Sequence, residues 1–122
     1  FFLFADIKTD QSDGITDPAY LKKLEDFGAG EVILTSINNE GTRLGFDIEL
    51  YIFSQDQISL PIIAQGGAAN LESFKELFEK TKISSASAGA AFVYFGKRKA
   101  VLINYPEKKE IELLMKKYES TK

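Results

Sequence analysis

The stretch "LPIIAQGGAANLESFKELFEK", Leu60 to Lys80, decides the fold. Its first part is a short apolar run, long enough for one buried strand. Two glycines close that run, and Asn70 then stands as the N-cap of a helix. Leu71, Phe74, Leu77 and Phe78 recur at helical spacing and predict one inward stripe. Strand, glycine turn and capped helix make a βα unit.

The same grammar repeats on both sides. "FFLFADI" (residues 1–7) predicts a buried strand, followed by a helix in "TDPAYLKKLEDFG" with Asp17 as cap, Pro18 at the first helical position and Gly28 past the end. Tyr20, Leu24 and Phe27 are expected to share its inner face. "EVILTS" is the second strand, followed by a shorter helix in "FDIELYIFSQ" with Ile48 and Ile52 four apart. A small-residue strand, "ISSASAGA", comes fourth. "FVYFGKRKAVLIN" reads as a helical turn and then an extra strand. "PEKKEIELLMKKY" closes with Ile111, Leu114, Met115 and Tyr118 on one stripe.

The fold class is therefore α/β, with four parallel βα units of about 30 residues each. Two architectures fit: an open doubly wound sheet, or a piece of a (β/α)8 barrel. A whole barrel needs about 250 residues, so the 122-residue chain would be a single (βα)4 half-barrel domain, residues 1–122. Half a barrel leaves open edges and an uncovered inner face. It calls for the N-terminal half, within a larger barrel, or for a second copy in a homodimer. The chain begins at Phe1 and not Met, as a piece of a longer protein would.

Composition excludes several chemistries. The chain has no Cys and no His, so no Ser–His or Cys–His couple, no disulfide and no zinc site of the usual kind. It is 44% hydrophobic and 27% charged, enough apolar content for a packed core. A net charge of −3 argues against a nucleic-acid surface, and no apolar run reaches membrane-spanning length. The expectation is a cytoplasmic protein without metal or cofactor.

In both architectures ligands bind at the C-terminal ends of the strands. Those ends carry Asp6, Thr35–Ser36, Gln65–Gly66–Gly67 and Gly89–Ala90. Alternation places Glu31, Ile33 and Thr35 on one face, with Ile63 and Gln65 on one face of the next strand. Lining a barrel, Asp6, Thr35 and Gln65 converge at its top and Glu31 lies at its base. Asp6 serves there as a general acid/base or, more plainly, as a cap. Glu31 is otherwise a solvated strand start, and Glu40 a loop carboxylate at the pocket rim. The turns "QGGAAN" and "SAGAA" offer backbone N–H groups that suit an anion.

Together, "GAGEVILTSINNEGTRLGFDIEL" (28–50) and "LPIIAQGGAANLESF" (60–74) resemble the cyclase subunit of imidazole glycerol phosphate synthase. That family is a (β/α)8 barrel and a lyase of histidine biosynthesis within a glutamine amidotransferase complex. It joins ammonia from a glutaminase subunit to a phosphorylated ribulosyl intermediate. The resemblance covers the family's C-terminal half. It implies that Asp6 is one of two catalytic aspartates, that Glu31 belongs to a charged ring gating ammonia, and that Thr35 and Gln65 line the substrate pocket. It further implies that Glu40, Gly41, Gly67, Gly89 and Ala90 hold one substrate phosphate. Gln65 replaces a smaller residue and Ala90 replaces a serine. The tail "FGKRKAVLINYPEKKEI" is similar to a branch of the family that supplies ammonia for sugar amidation in surface-polysaccharide synthesis. The third reading is a non-catalytic, phosphate-binding half-barrel.

Overall fold

The computed structural model describes residues 18–95, 100–101 and 105–120. The strand expected at residues 1–7, with Asp6, and the cap Asp17 lie outside the described residues.

The element order begins with α1 (Pro18–Asp26), β1 (Val32–Thr35), α2 (Ile48–Gln55), β2 (Ile62–Gln65), α3 (Leu71–Lys80) and β3 (Ser85–Ser87). It continues with α4 (Ala90–Val93), β4 (Tyr94–Phe95), β5 (Ala100–Val101) and α5 (Lys108–Ser120). β1, β2 and β3 form a parallel sheet in sequential order. Val32 pairs with Ile62 and Thr35 with Gln65, and Gln65 pairs in turn with Ser87. β5 falls on the start of the expected extra strand and pairs with β4, which the sequence did not announce, as a separate antiparallel ribbon, Tyr94 opposite Val101.

The core decides between the two architectures. Val32, Leu34, Ile62 and Ala64 are buried in one cluster with Leu21 and Leu24 of α1, Leu50 and Tyr51 of α2, and Phe74, Leu77 and Phe78 of α3. All three helices thus cover the same sheet face. The alternating residues point the other way, and Ile33 there is 54% exposed. A doubly wound sheet carries helices on both faces and reverses its strand order at a switch point. Sequential parallel strands with helices on one side are an arc of a βα barrel.

Local signals explain the helix ends. Asn70 accepts from the Ser73 N–H at 3.2 Å and caps α3. Phe74, Leu77 and Phe78 bury as the spacing predicts, each burial worth about 1.5–3 kcal/mol, while Leu71 is half-buried. Gly28 stands just past the end of α1, and its N–H reaches the Glu25 carbonyl at 2.9 Å.

Three side-chain expectations are corrected. Phe27 is 80% exposed, because α1 ends at Asp26 and Leu21 takes the inward place beside Leu24. In α2 the buried residues are Leu50, Tyr51 and Ser54, whereas Ile52 is 41% exposed. Asp47 starts that helix by accepting from the Leu50 N–H at 3.1 Å, which turns Tyr51 rather than Ile52 inward. In α5, Leu114 and Met115 pack on the core but Ile111 is exposed.

Candidate functional site

The loop after β1 is wired turn by turn. The Ser36 carbonyl accepts from Asn39 N–H at 3.2 Å and from Glu40 N–H at 2.9 Å. Ser36 Oγ donates to Asp47 Oδ2 at 3.1 Å, which ties the loop's start to the cap of α2. Thr42 Oγ1 donates to the Asn39 carbonyl at 2.7 Å and accepts from the Leu44 N–H at 3.2 Å. Asn39 Nδ2 donates to the Gly45 carbonyl at 3.1 Å.

Two glycines join this loop to the next. Gly66 and Gly67 have φ of 104° and 94°, a region that suits only glycine well. A Cβ on Gly67 would lie 2.1 Å from the Gly45 carbonyl oxygen, and one on Gly66 would lie 2.8 Å from the Ser36 carbonyl oxygen. The Gly45 N–H donates to the Gly67 carbonyl at 2.8 Å across that approach. Glycine is thus required by both space and backbone angle.

Under the two loops and the turn after β3 lies a small depression, open to solvent on one side. Glu40, Gly41 and Arg43 line it from the first loop, Gly66, Gly67 and Ala68 from the second, and Ala88, Gly89 and Ala90 from the third. Glu40, Gly41, Gly67, Gly89 and Ala90 are therefore brought together. Thr35 and Gln65 do not line this pocket. They sit side by side in register, half-buried, on the helix-free sheet face, and Ser87 extends their row. Glu31 immediately precedes β1, exposed, at the opposite end of the sheet from Thr35. Among the described residues no group of three or more His, Cys, Asp or Glu side chains could hold a metal ion. No helix among them is long and apolar enough to cross a membrane.

Sequence reasoning passed over Arg43 and Ser87. The signal for Arg43 was its place in a strand-end loop, three residues after Glu40. The signal for Ser87 was its alternation with Ser85 on the fourth predicted strand.

Tyr51 braces the site from below. Its ring is buried, and its hydroxyl donates to the Gln65 carbonyl at 2.6 Å while accepting from the Gln65 N–H at 3.1 Å. The same hydroxyl lies 3.1 Å from the Leu34 carbonyl oxygen. Burial pushes its pKa up, so the group stays a neutral donor. The last residue of β2, where the glycine turn begins, is thereby fixed to α2.

A sequential parallel arc with a glycine-built pocket at the C-terminal mouth of its strands defines a βα-barrel protein whose site lies in the strand-end loops. The chain belongs to the histidine biosynthesis protein family, whose model matches residues 7–99. It is 47% identical over 73 residues to the imidazole glycerol phosphate synthase subunit HisF of Saccharolobus solfataricus, covering 60% of this chain and 29% of that protein. Against the subunit of the same name from Leuconostoc mesenteroides it is 46% identical over 72 residues, covering 59% and 28%. A Leptospira interrogans protein, provisionally named as the same subunit, is 41% identical over 101 residues, covering 83% and 40%. The chain thus spans well under half the length of the curated relatives it matches.

Proposed function

We propose that the chain forms the C-terminal half of a cyclase subunit of imidazole glycerol phosphate synthase, and that its pocket holds one phosphate of the ribulosyl substrate. The observation that carries this reading is the convergence of three successive strand-end loops on one pocket, seven of whose nine lining residues are Gly or Ala. Such a lining leaves backbone N–H groups free of side-chain cover, the arrangement that suits a phosphate. The row Thr35, Gln65, Ser87 then offers neutral hydrogen-bonding groups to the sugar part of the substrate. Asp6 acts as general acid/base, Glu31 stands at the ammonia entrance, and a glutaminase subunit docks at that end. The setting is the cytoplasm.

The test is ammonia-dependent turnover of the ribulosyl substrate by the full-length protein. Turnover that survives Asp6→Asn unchanged removes Asp6 from the mechanism. Absence of turnover in the wild type removes the histidine-pathway reading.

A second reading, ammonia supply for sugar amidation, draws on the tail. "FGKRKAVLINYPEKKEI" carries β5 of the small antiparallel ribbon, an element outside the repeating βα pattern. Ammonia release to an amidated sugar, with no cyclisation product, would favour it. A non-catalytic homodimer of half-barrels is the third, and sedimentation of this 122-residue chain as a stable monomer would count against it.

A further inference from the structure

We propose that Arg43 is the specificity-determining residue of the pocket, the side chain that makes it select a phosphate dianion over neutral or singly charged ligands. The inference rests on the phosphate reading above and assigns its charge balance. The Gly and Ala residues of the lining offer an anion nothing but backbone N–H groups. Of the two remaining residues, Glu40 is a carboxylate, which accepts hydrogen bonds and repels an anion. Arg43 is the other, with five N–H donors in a planar fork and a positive charge. Backbone N–H groups carry partial charges only. Beside a carboxylate, a fixed cation decides whether the pocket favours a dianion.

The backbone at Arg43 supports the assignment. Arg43 has φ of 59° and is the one non-glycine residue with positive φ among the described residues. That conformation is sparsely populated for a long side chain and persists where the surroundings hold it. They do so from both sides: Thr42 Oγ1 is bonded to the Asn39 carbonyl, and Gly45 is fixed to Asn39 and to Gly67.

The experiment is calorimetric titration of the full-length protein with inorganic phosphate, beside thermal melting, for the wild type, Arg43→Lys, Arg43→Asn and Arg43→Gly. Asn and Gly tolerate positive φ, so both remove the charge without adding backbone strain. Phosphate affinity is expected to fall roughly 10- to 100-fold in Arg43→Asn and Arg43→Gly, with melting unchanged or raised. Arg43→Lys keeps the charge but loses the planar fork, so its loss is smaller. In turnover, KM for the phosphorylated substrate rises while kcat holds. Phosphate binding within twofold of wild type in Arg43→Asn overturns the role of Arg43. If Arg43→Asn melts early, Arg43→Gly is judged by the same criterion. A wild type that binds no phosphate overturns the pocket reading itself, a different outcome from a wild type that binds and variants that bind equally well.

Discussion

Gly67 lies so close to Gly45 that a single added carbon would meet the Gly45 carbonyl oxygen at 2.1 Å, while the Gly45 N–H donates to the Gly67 carbonyl at 2.8 Å. Two loops that follow different strands are thus locked backbone to backbone. The close approach exists because Gly67 carries no side chain at that crossing.

Gly67→Ala is therefore expected to be among the more damaging small substitutions. Its methyl meets backbone, which cannot swing aside, and φ of 94° disfavours alanine even without the clash. Urea melts should show a loss of roughly 2–4 kcal/mol, with anion binding lost at temperatures where the fold survives. An alanine variant as stable as wild type would mean that the two loops do not meet in this way.

Tyr51→Phe removes one oxygen and changes two strand-end groups. The half-buried Gln65 N–H loses its acceptor, and the Gln65 carbonyl loses its 2.6 Å donor but keeps the Ser36 N–H at 3.0 Å. The expected destabilisation is about 1–3 kcal/mol, the range for stranding buried polar groups. Because burial raises the hydroxyl's pKa, no alkaline transition from Tyr51 is expected below the global one. Amide exchange at Gln65 reports the effect directly: protection should fall there more than at Val32, at the far end of the sheet.

Glu25 sets a pH dependence at the opposite end of the sheet. Lys22 donates to Oε2 at 2.5 Å, while Ser59 donates to Oε1 from its hydroxyl and, at 3.0 Å, from its backbone N–H. Chiefly through the Lys22 bond, then those from Ser59, the carboxyl is held down at about 2, against an ordinary 4.5. A depressed folded value means that stability is present above the unfolded value and is lost as pH falls through the folded one. The contribution is therefore complete at neutral pH and fades between pH 4.5 and about 2. Glu25→Gln should melt at a lower temperature than wild type at pH 7, and the two curves should converge near pH 2. Curves that stay parallel across that window would show that the Glu25 clamp is not formed.

In α3 the structure follows both the periodic and the capping signal of the sequence. Asn70 caps α3 and Phe74, Leu77 and Phe78 bury, because one strong apolar stripe admits one orientation. α2 lacks such a stripe, since "IELYIFSQ" is apolar on several sides, and Asp47 rather than hydrophobic spacing set its phase. The glycines at 66 and 67 were visible as a turn, but the crossing that forbids a Cβ depends on Gly45, some twenty residues upstream, and no local pattern encodes it. Arg43 was hidden for the same reason: its place in the pocket follows from hydrogen bonds on both sides of it, not from its neighbours' identity.

Ile33 provides the test of how the arc is completed. It points from β1 to the helix-free face and is 54% exposed in the described chain, in the same row as Ile63 and Ser85. On an open arc a charge at this position is solvated, and Ile33→Asp should change stability by no more than about 0.5 kcal/mol. Inside a closed barrel the same carboxylate would be buried among apolar layers, at a cost of several kcal/mol. Thermal melts of Ile33→Asp in the full-length protein and in the 122-residue chain separate the two. The expected pattern is a large drop in the full-length protein and little change in the isolated chain. Equal, small effects in both would mean that this face stays open to water and that no second half closes over it.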